Sequence, residues 1–319
     1  MKFYSRSFSR YYSLVVTFLL LFCLENQASE RHLWDEGWRF SLQNDDKPQQ
    51  SSFDDSTWRL LDLPHDWAIE GDFHAQHSSG ANGGALPGGK GWYRKHLVLH
   101  DNDAASRYVL HFDGAYMNTS VFVNGKHVGT RPYGFISFSY DITPYLNKQG
   151  DNVIAVSVDN SKQPNSRWYT GCGIYRHVYL SKSADIRVAE WGLQAISKVK
   201  KGVGYLTLNT QIENPSGRHR QVTIRQKLWN KAHQLVAQTS KNCKVETSGA
   251  MVSLQMRVHK PQLWSLASPH LYMITTEIIE NGHVLDCDTI TTGFRTVKFD
   301  VAKGFFLNGE NIKINGVCL

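Results

Sequence analysis

A glycine-rich segment with one lysine is the first feature whose residue types could do chemistry. Residues 80–91 read GANGGALPGGKG, and the spacing from Gly84 to Lys90 nearly matches a phosphate-binding loop. In such a loop the next residue is a Ser or Thr that holds Mg²⁺, and a helix begins there with its N–H groups facing the phosphate. Here Gly91 takes that position, and residues 92–96 (WYRKH) are typical of a strand. We therefore expect a loop before a strand and no nucleotide site.

Two other common catalytic arrangements are missing from the sequence. The fourteen His residues include no H-E-x-x-H motif, and His74 and His77 fall in a polar segment. There is also no G-x-S-x-G motif, which carries the nucleophile of many serine hydrolases. We therefore expect neither a metal site nor a cofactor.

Alternation of apolar and polar residues predicts the elements that must position any site. Residues 206–212, 222–228 and 252–258 each place apolar side chains on one face and polar side chains on the other. This pattern is typical of antiparallel strands with one buried face, as in a sandwich. No amphipathic helix longer than two turns is found. The predicted fold class is all-β.

Asn-Gly pairs between apolar runs predict tight hairpins. Both residues of such a pair tolerate the positive φ that a two-residue turn requires. The three pairs are Asn124-Gly125, Asn281-Gly282 and Asn308-Gly309.

Length and composition limit the class of protein. The chain has 319 residues, of which 41% are hydrophobic and 20% are charged, enough for two compact domains and unlike a coiled coil, a collagen or a disordered chain. The net charge of +7 is uneven, because residues 184–319 carry seventeen Lys or Arg against ten Asp or Glu. These basic residues are scattered and lack interleaved aromatic residues for base stacking, so no nucleic-acid partner is expected.

The first 28 residues have the pattern of a secretory signal peptide. Three basic residues precede a twelve-residue apolar run, Ser13 to Leu24, and Ala28 offers a small residue for cleavage. Twelve residues are too short to span a hydrocarbon core of ~30 Å, so we expect no membrane span. The sequence predicts a secreted or periplasmic protein, with an uncleaved anchor as the alternative.

An ordered series of motifs runs through the rest of the chain and resembles one family. The motifs are LPHDW (63–67), GWYRK (91–95), VFVNG (121–125), YGF (133–135), VDN (158–160), SRWY (166–169), GIYR (173–176), GFR (293–295) and GFFLNG (304–309). In this order they resemble the N-terminal half of the family 2 glycoside hydrolases, the β-galactosidase, β-glucuronidase and β-mannosidase group.

The resemblance implies a domain layout. A jelly-roll sugar-binding domain would span residues 29–183 and an immunoglobulin-like sandwich residues 184–292. Residues 293–319 would be the lead-in and first strand of a (β/α)₈ barrel. A complete barrel takes roughly 250 residues, so we expect this one to be missing.

The resemblance also implies where catalysis would occur. In the family both catalytic carboxylates are barrel glutamates, and the acid/base lies in an Asn-Glu pair. None of the ten Glu residues of this chain follows an Asn, so no catalytic residue is assigned. The expected function is the non-catalytic portion of a β-galactosidase-like enzyme that hydrolyses terminal β-glycosides when the barrel is present. A freestanding carbohydrate-binding module and an inactive gene fragment are the alternatives.

Sugar contact is expected from the segment just before the GIYR motif. There the galactosidases and glucuronidases carry an aspartate that reaches the glycone, and the matching residue here is Arg167. An arginine can instead donate several coplanar hydrogen bonds, although a structural salt bridge is the alternative, and Trp168 is expected in the core. The other candidates for contact with a β-linked glycan are Asn165, Tyr169, Asp66, His65 and Lys90.

Two further expectations concern cysteines and association. Cys243 and Cys287 could form a bridge between the two sheets of the second domain, with Trp264 beside it, or remain free thiols. An unpaired terminal strand carrying Ile312, Ile314, Val317 and Leu319 would expose an apolar edge. Such an edge favours a homo-oligomer or another association.

Overall fold

The computed structural model describes residues 30–100 and 107–317. The predicted signal peptide and residues 318–319 lie outside these ranges. The described chain divides into two units, one from Glu30 to Ser183 and one from Ala184 onward. Within the described ranges the regular structure is strand, apart from 3₁₀ turns of three residues. The all-β prediction is confirmed, and none of the described helical turns is long enough to cross a membrane.

The first unit is a sandwich of two antiparallel sheets. Its strands are β1 (Glu30–Leu33), β2 (Trp38–Leu42), β3 (Arg59–Leu61), β4 (Gly89–Leu99), β5 (Arg107–Phe112), β6 (Thr119–Val123), β7 (Lys126–Arg131), β8 (Phe138–Asp141), β9 (Gly150–Asn160) and β10 (Val178–Ser183). One sheet has the order β3-β2-β4-β9-β6-β7 and the other β1-β10-β5-β8. A single core joins them, with Tyr93 and Val156 from the first sheet and Leu110 and Leu180 from the second. This is the architecture that the jelly-roll prediction requires.

The middle of strand β4, residues 91–94, is buried on both faces. Tyr93 lies in the core between the sheets, whereas its neighbours Trp92 and Arg94 lie on the opposite face. That opposite face is covered by residues 45–58, which contact Arg94.

The Arg94 guanidinium fastens this covering segment to the sheet. Its Nε donates to Asp55 Oδ2 at 2.7 Å, and its terminal nitrogens donate to the carbonyl oxygens of Gln50 at 2.9 Å and Phe53 at 3.2 Å. A further hydrogen bond reaches the carbonyl oxygen of Pro48. One planar side chain therefore satisfies a buried carboxylate and three backbone carbonyls, which a compact ammonium cannot do.

The second unit is a smaller antiparallel sandwich. Its strands are β11 (Arg187–Lys200), β12 (Val203–Glu213), β13 (Arg220–Trp229), β14 (Leu235–Val245), β15 (Ala250–His259), β16 (Tyr272–Glu280) and β17 (His283–Thr292). They form a three-stranded sheet, β11-β12-β15, and a four-stranded sheet, β14-β13-β16-β17. The three alternating segments of the sequence are β12, β13 and β15, and their apolar side chains are buried as predicted. Seven strands in two sheets agree with the immunoglobulin-like prediction.

The three Asn-Gly turns are confirmed. Each connects consecutive antiparallel strands by two residues, and φ is positive at both positions. Lys201 and Gly202 form a fourth turn with the same signs of φ between β11 and β12. Lysine is not a usual residue at that position, so the sequence pattern did not reveal it.

Cys243 and Cys287, the two cysteines among the described residues of the second unit, are free thiols. Cys243 lies on β14 and Cys287 on β17, which are the opposite edges of the four-stranded sheet. Three strand spacings separate these edges by about 14 Å, whereas a disulfide needs Cα atoms within about 7 Å. The bridge between two sheets is therefore wrong, because both residues belong to one sheet.

Residues after β17 form a small third sheet. Strands β18 (Val297–Asp300), β19 (Gly304–Leu307) and β20 (Glu310–Asn311) pair in order, and the assignment of residues 293–319 to the lead-in of a barrel stays a prediction. Asn308 Nδ2 donates to the carbonyl oxygen of Trp264 at 2.9 Å, and Trp264 is half-buried outside the main core clusters. Residues 312–317 are in no strand, so the predicted terminal strand is absent from the described residues, although Ile314 and Val317 are exposed.

Replacing Arg94 tests the role of its guanidinium. Arg94→Ala leaves Asp55 buried without its closest partner, so we expect a loss of about 3–5 kcal/mol in the free energy of unfolding. Arg94→Lys should recover less than half of it, since an ammonium cannot reach all the acceptors. Urea denaturation followed by tryptophan fluorescence measures the effect, because six of the nine tryptophans lie between residues 30 and 183.

The matched control is Arg218→Ala, which removes an exposed arginine of the second unit. It should change stability by less than about 0.5 kcal/mol. An Arg94→Ala variant as stable as this control would contradict the assignment.

Candidate functional site

The Asp66 carboxylate joins two segments that are far apart in the sequence. Oδ1 accepts hydrogen bonds from the backbone N–H of Ala68 at 3.0 Å and of Cys172 at 2.9 Å. Oδ2 accepts the hydroxyl of Tyr169. Both oxygens are therefore used in fixing the loop 165–172 to the segment 63–70.

Backbone hydrogen bonds continue this connection. His65 N–H donates to the carbonyl oxygen of Ile174 at 2.8 Å, and Trp67 N–H donates to that of Cys172 at 3.1 Å. Gly173 lies between these acceptors with φ of +124°, and a Cβ there would come within 2.4 Å of the Tyr93 hydroxyl oxygen. The glycine of the GIYR motif is thus required because two segments of the chain approach each other closely here.

His65 is buried beneath this connection and does not face solvent. Its Nδ1 lies 2.7 Å from the Tyr93 hydroxyl, and its Nε2 lies 3.3 Å from Glu70 Oε1. Burial lowers the pKa of His65, although the nearby Glu70 opposes the shift. Glu70 in turn accepts two hydrogen bonds of 2.7 Å from Arg59. His65 therefore supports the segment that carries Asp66.

Tyr169 is held in one orientation by its hydroxyl and its ring. The hydroxyl donates to Asp66, and burial together with this carboxylate raises the pKa of Tyr169 far above its usual value. The ring lies against Gly84, where a Cβ would stand 3.6 Å from a ring carbon. The glycine-rich segment is thus a turn that contacts Tyr169, followed by strand β4, as the rejection of a phosphate-binding loop predicted.

Asn165 uses its amide to shape the loop. Its Nδ2 donates to Asn160 Oδ1 at 2.7 Å and to the carbonyl oxygen of Lys162 at 3.2 Å, and its Oδ1 accepts the Tyr116 hydroxyl at 3.3 Å. Asn160 Nδ2 also donates to the sulfur of Cys172 at 2.9 Å. This network of amides connects the start of the loop to its end.

Arg167 and Trp168 are the side chains of the loop that remain available. Both are exposed, and Trp168 keeps 61% of its surface accessible. Across residues 30–100 and 107–317 the Arg167 guanidinium has no ion pair or hydrogen bond, so the salt-bridge alternative is not observed. The core position expected for Trp168 is wrong, because the turn around Ser166, whose Oγ donates to the Trp168 carbonyl oxygen at 2.6 Å, directs the ring outward.

Lys90 lies away from the loop 165–172. Its ammonium pairs with Asp46 and lies 5.2 Å from the centre of the Trp92 ring, on the face of β4 opposite Tyr93. The structure therefore brings Asp66, Asn165, Arg167 and Tyr169 together, with His65 beneath them, and leaves Lys90 out.

A shallow depression adjoins the loop. It is lined by Ala68, Ser79, Leu86, Trp168, Tyr169 and Cys172, among others, and encloses about 230 Å³ of empty space including its open mouth. In the described ranges no three His, Cys, Asp or Glu side chains are grouped to hold a metal.

Comparison with known proteins assigns both units. Residues 33–184 match the model described as "Glycosyl hydrolases family 2, sugar binding domain", and residues 187–295 match the model described as "Glycosyl hydrolases family 2". The chain belongs to glycosyl hydrolase family 2. The resemblance seen in the motif series is confirmed.

Among its relatives, this family 2 chain is 47% identical over 292 residues to a Bacteroides ovatus protein named β-galactosidase BoGH2A, and 36% identical over 309 residues to a putative β-glucuronidase of Formosa agariphila. These matches cover 91% and 96% of the chain but 34% and 29% of the relatives. A solved family 2 member from Bacteroides cellulosilyticus aligns with a TM-score of 0.87 at 32% identity, covering 91% of this chain and 38% of that one. The chain thus spans about a third of the length of these relatives.

Three functional neighbours were missed by sequence reasoning. Asn160, Tyr116 and Cys172 were not candidates, although the first two contact Asn165 and the third contacts Asp66. Asn160 ends the VDN motif and Cys172 precedes the GIYR motif, so their places in the series gave a usable signal. Tyr116 belongs to no motif, and only the fold brings it to the loop.

Replacing Asp66 tests the connection between the two segments. Asp66→Ala leaves the N–H groups of Ala68 and Cys172 and the Tyr169 hydroxyl without their acceptor, so we expect a loss of about 2–4 kcal/mol from the three broken hydrogen bonds to a charged group. Amide hydrogen exchange in residues 165–172 should accelerate at least tenfold. Asp66→Asn keeps an acceptor for the backbone and should show a smaller effect.

Asp54→Ala is the matched control, since Asp54 caps the N–H of Ser56 in the same way on an exposed loop. It should leave exchange in residues 165–172 unchanged. Equal exchange in the Asp66→Ala and Asp54→Ala variants would show that the carboxylate does not hold the loop.

The Cys172 thiol gives a test by pH. Burial raises its pKa to about 11, the Asp66 charge adds to the rise, and the Asn160 hydrogen bond opposes it. Since only the thiolate reacts, alkylation by iodoacetamide at pH 8 should be about a hundredfold slower than for a thiol of ordinary pKa. The rate should still rise about tenfold per pH unit between pH 7 and 9.5, as read by peptide mass spectrometry. The same cysteine in urea is the control, and a plateau below pH 9.5 in the folded chain would refute the assignment.

Proposed function

We propose that this chain is the non-catalytic N-terminal portion of an exported, β-galactosidase-like glycoside hydrolase. In this proposal residues 30–183 contact the sugar through the loop 165–169, and a barrel supplies the catalytic carboxylates. The observation that carries it is the exposed Arg167, which has no ion pair or hydrogen bond among the described residues, beside the exposed Trp168 within the part of the chain that matches the family's sugar-binding domain.

The side chains of the loop suit a sugar. A guanidinium donates hydrogen bonds to hydroxyl or carboxylate oxygens, and an indole face packs against the apolar face of a pyranose. Tyr169 and Asp66 hold the loop in place, so little conformational entropy is lost on binding. The 47% identity to a protein named β-galactosidase supports a β-galactoside in preference to other β-glycosides.

The carboxylates of the described residues do not suggest catalysis by this chain alone. A retaining glycosidase needs two carboxyl groups ~5–5.5 Å apart beside the glycosidic bond. Glu70 is paired with Arg59, Glu277 with Arg225 and Lys227, and Glu280 with Arg220. These glutamates serve structural ion pairs.

A freestanding carbohydrate-binding module is the second candidate. The same exposed Arg167 and Trp168 support it, since they need no barrel to contact a glycan. An inactive gene fragment has no specific observation in its favour. High affinity for a polysaccharide in the absence of any other domain would favour the module.

Sugar titration of the chain tests the proposal. Saturation-transfer NMR with methyl β-D-galactopyranoside should detect weak binding, and Arg167→Ala should weaken it about tenfold or more by removing a charged hydrogen-bond donor. Arg218→Ala is the matched control and should bind as the parent does. The chain alone should not hydrolyse p-nitrophenyl β-D-galactopyranoside. Hydrolysis above the blank, or binding insensitive to Arg167→Ala, would contradict the proposal.

A further inference from the structure

A second group of exposed rings lies next to the loop that carries Arg167. Tyr133 and Phe135 keep 55% and 44% of their surfaces accessible, and their ring centres are 5.7 Å apart in an edge-to-face arrangement. We call these two side chains the aromatic platform. Neither belongs to the candidates for sugar contact considered above.

Buried contacts fix the platform from below. The Phe135 ring lies 5.0 Å from the buried ring of Tyr116. Gly134, between the two platform residues, leaves room for that ring, because a Cβ at this position would come within 2.2 Å of it. The Tyr175 hydroxyl donates to the carbonyl oxygen of Gly134 at 2.7 Å. The exposed rings are therefore held in place before any ligand arrives.

Tyr116 also joins the platform to the sugar-contact loop. Its ring packs on Phe135, and its hydroxyl donates to Asn165 Oδ1 at 3.3 Å. Asn165 lies two residues before Arg167, so one side chain separates the platform from the loop. The platform and the loop that carries Arg167 thus share the contacts of one buried residue.

The size and chemistry of the platform fit a sugar ring. Two aromatic side chains bury about 150–250 Å² each at most, well below the about 1,000 Å² that a specific protein interface needs. The Tyr133 hydroxyl has no hydrogen bond among the described residues, so an apolar face and a free polar group stand side by side. A pyranose offers the complement, with C–H groups on one face and hydroxyls at its rim.

From this geometry we propose that Tyr133 and Phe135 form a subsite for the second sugar of a β-linked oligosaccharide. This inference rests on the proposed function, since it assumes that the first sugar lies at the Arg167 loop. It names the substrate class of the same site: chains of two or more β-linked sugars in preference to simple β-glycosides.

The test compares two ligands on the full chain. Saturation-transfer NMR titrations with methyl β-D-galactopyranoside and with β-1,4-galactobiose should give at least about a tenfold preference for the disaccharide. In the Tyr133→Ala/Phe135→Ala double variant this preference should disappear, while affinity for the methyl galactoside stays unchanged. Arg167→Ala should instead weaken both ligands together.

Three further variants separate ring contact from folding. Phe135→Leu keeps an apolar contact with Tyr116 but removes the aromatic face, so it should lose part of the preference. Tyr133→Phe keeps the ring and should retain most of it. Phe299→Ala removes an exposed phenylalanine of the second unit and should change nothing.

The outcomes distinguish the two proposals. Equal affinities for both ligands in the parent chain, or a preference retained in the double variant, would overturn the platform alone. Binding of neither ligand would contradict the sugar-contact proposal, and the platform with it.

Discussion

The hydrogen bonds of the Asp66 carboxylate are the constraint on which the rest of the site depends. A short segment after β3 and the loop before β10 are more than a hundred residues apart, yet this one side chain satisfies donors in both. Because its oxygens are used within the protein, Asp66 fixes the loop and leaves Arg167 and Trp168 as exposed side chains. The motif carboxylate thus has a positional role.

Burial on both faces of β4 gives this arrangement a rigid base. Tyr93, on the inner face, contacts His65 directly before Asp66, and Arg94, on the outer face, holds the covering segment 45–58. A half-exposed strand would have allowed the site to shift with the motions of a surface loop. No described residue covers the edge strand β7 and the turn at residues 133–135 in this way, and aromatic side chains are accessible at the turn.

Much of the fold was readable from the sequence, because strand alternation and Asn-Gly turns are local signals. The burial of β12, β13 and β15 and the three hairpins follow from them directly. The pairing of Cys243 with Cys287 could not be decided in this way, because it depends on which strands share a sheet. Trp168 was misplaced for a related reason: its hydrophobicity favours burial, and only the turn at Ser166 directs it outward. Tyr116 reaches the site through the fold alone, so no local pattern could have identified it.

The positions of Cys243 and Cys287 have a consequence for biogenesis. Under the export that we propose, both thiols would meet oxidising conditions before the sheet has formed, and the 43 residues between them would leave their sulfurs free to meet. A bridge made at that stage would be incompatible with β14 and β17 at opposite edges, since β13 and β16 must lie between them. Productive folding then requires β13 and β16 to pair before the two thiols are oxidised. A chain oxidised before these strands pair would need an isomerase or a reductant to break the bridge. The yield of folded protein would then depend on the redox conditions of export as well as on stability.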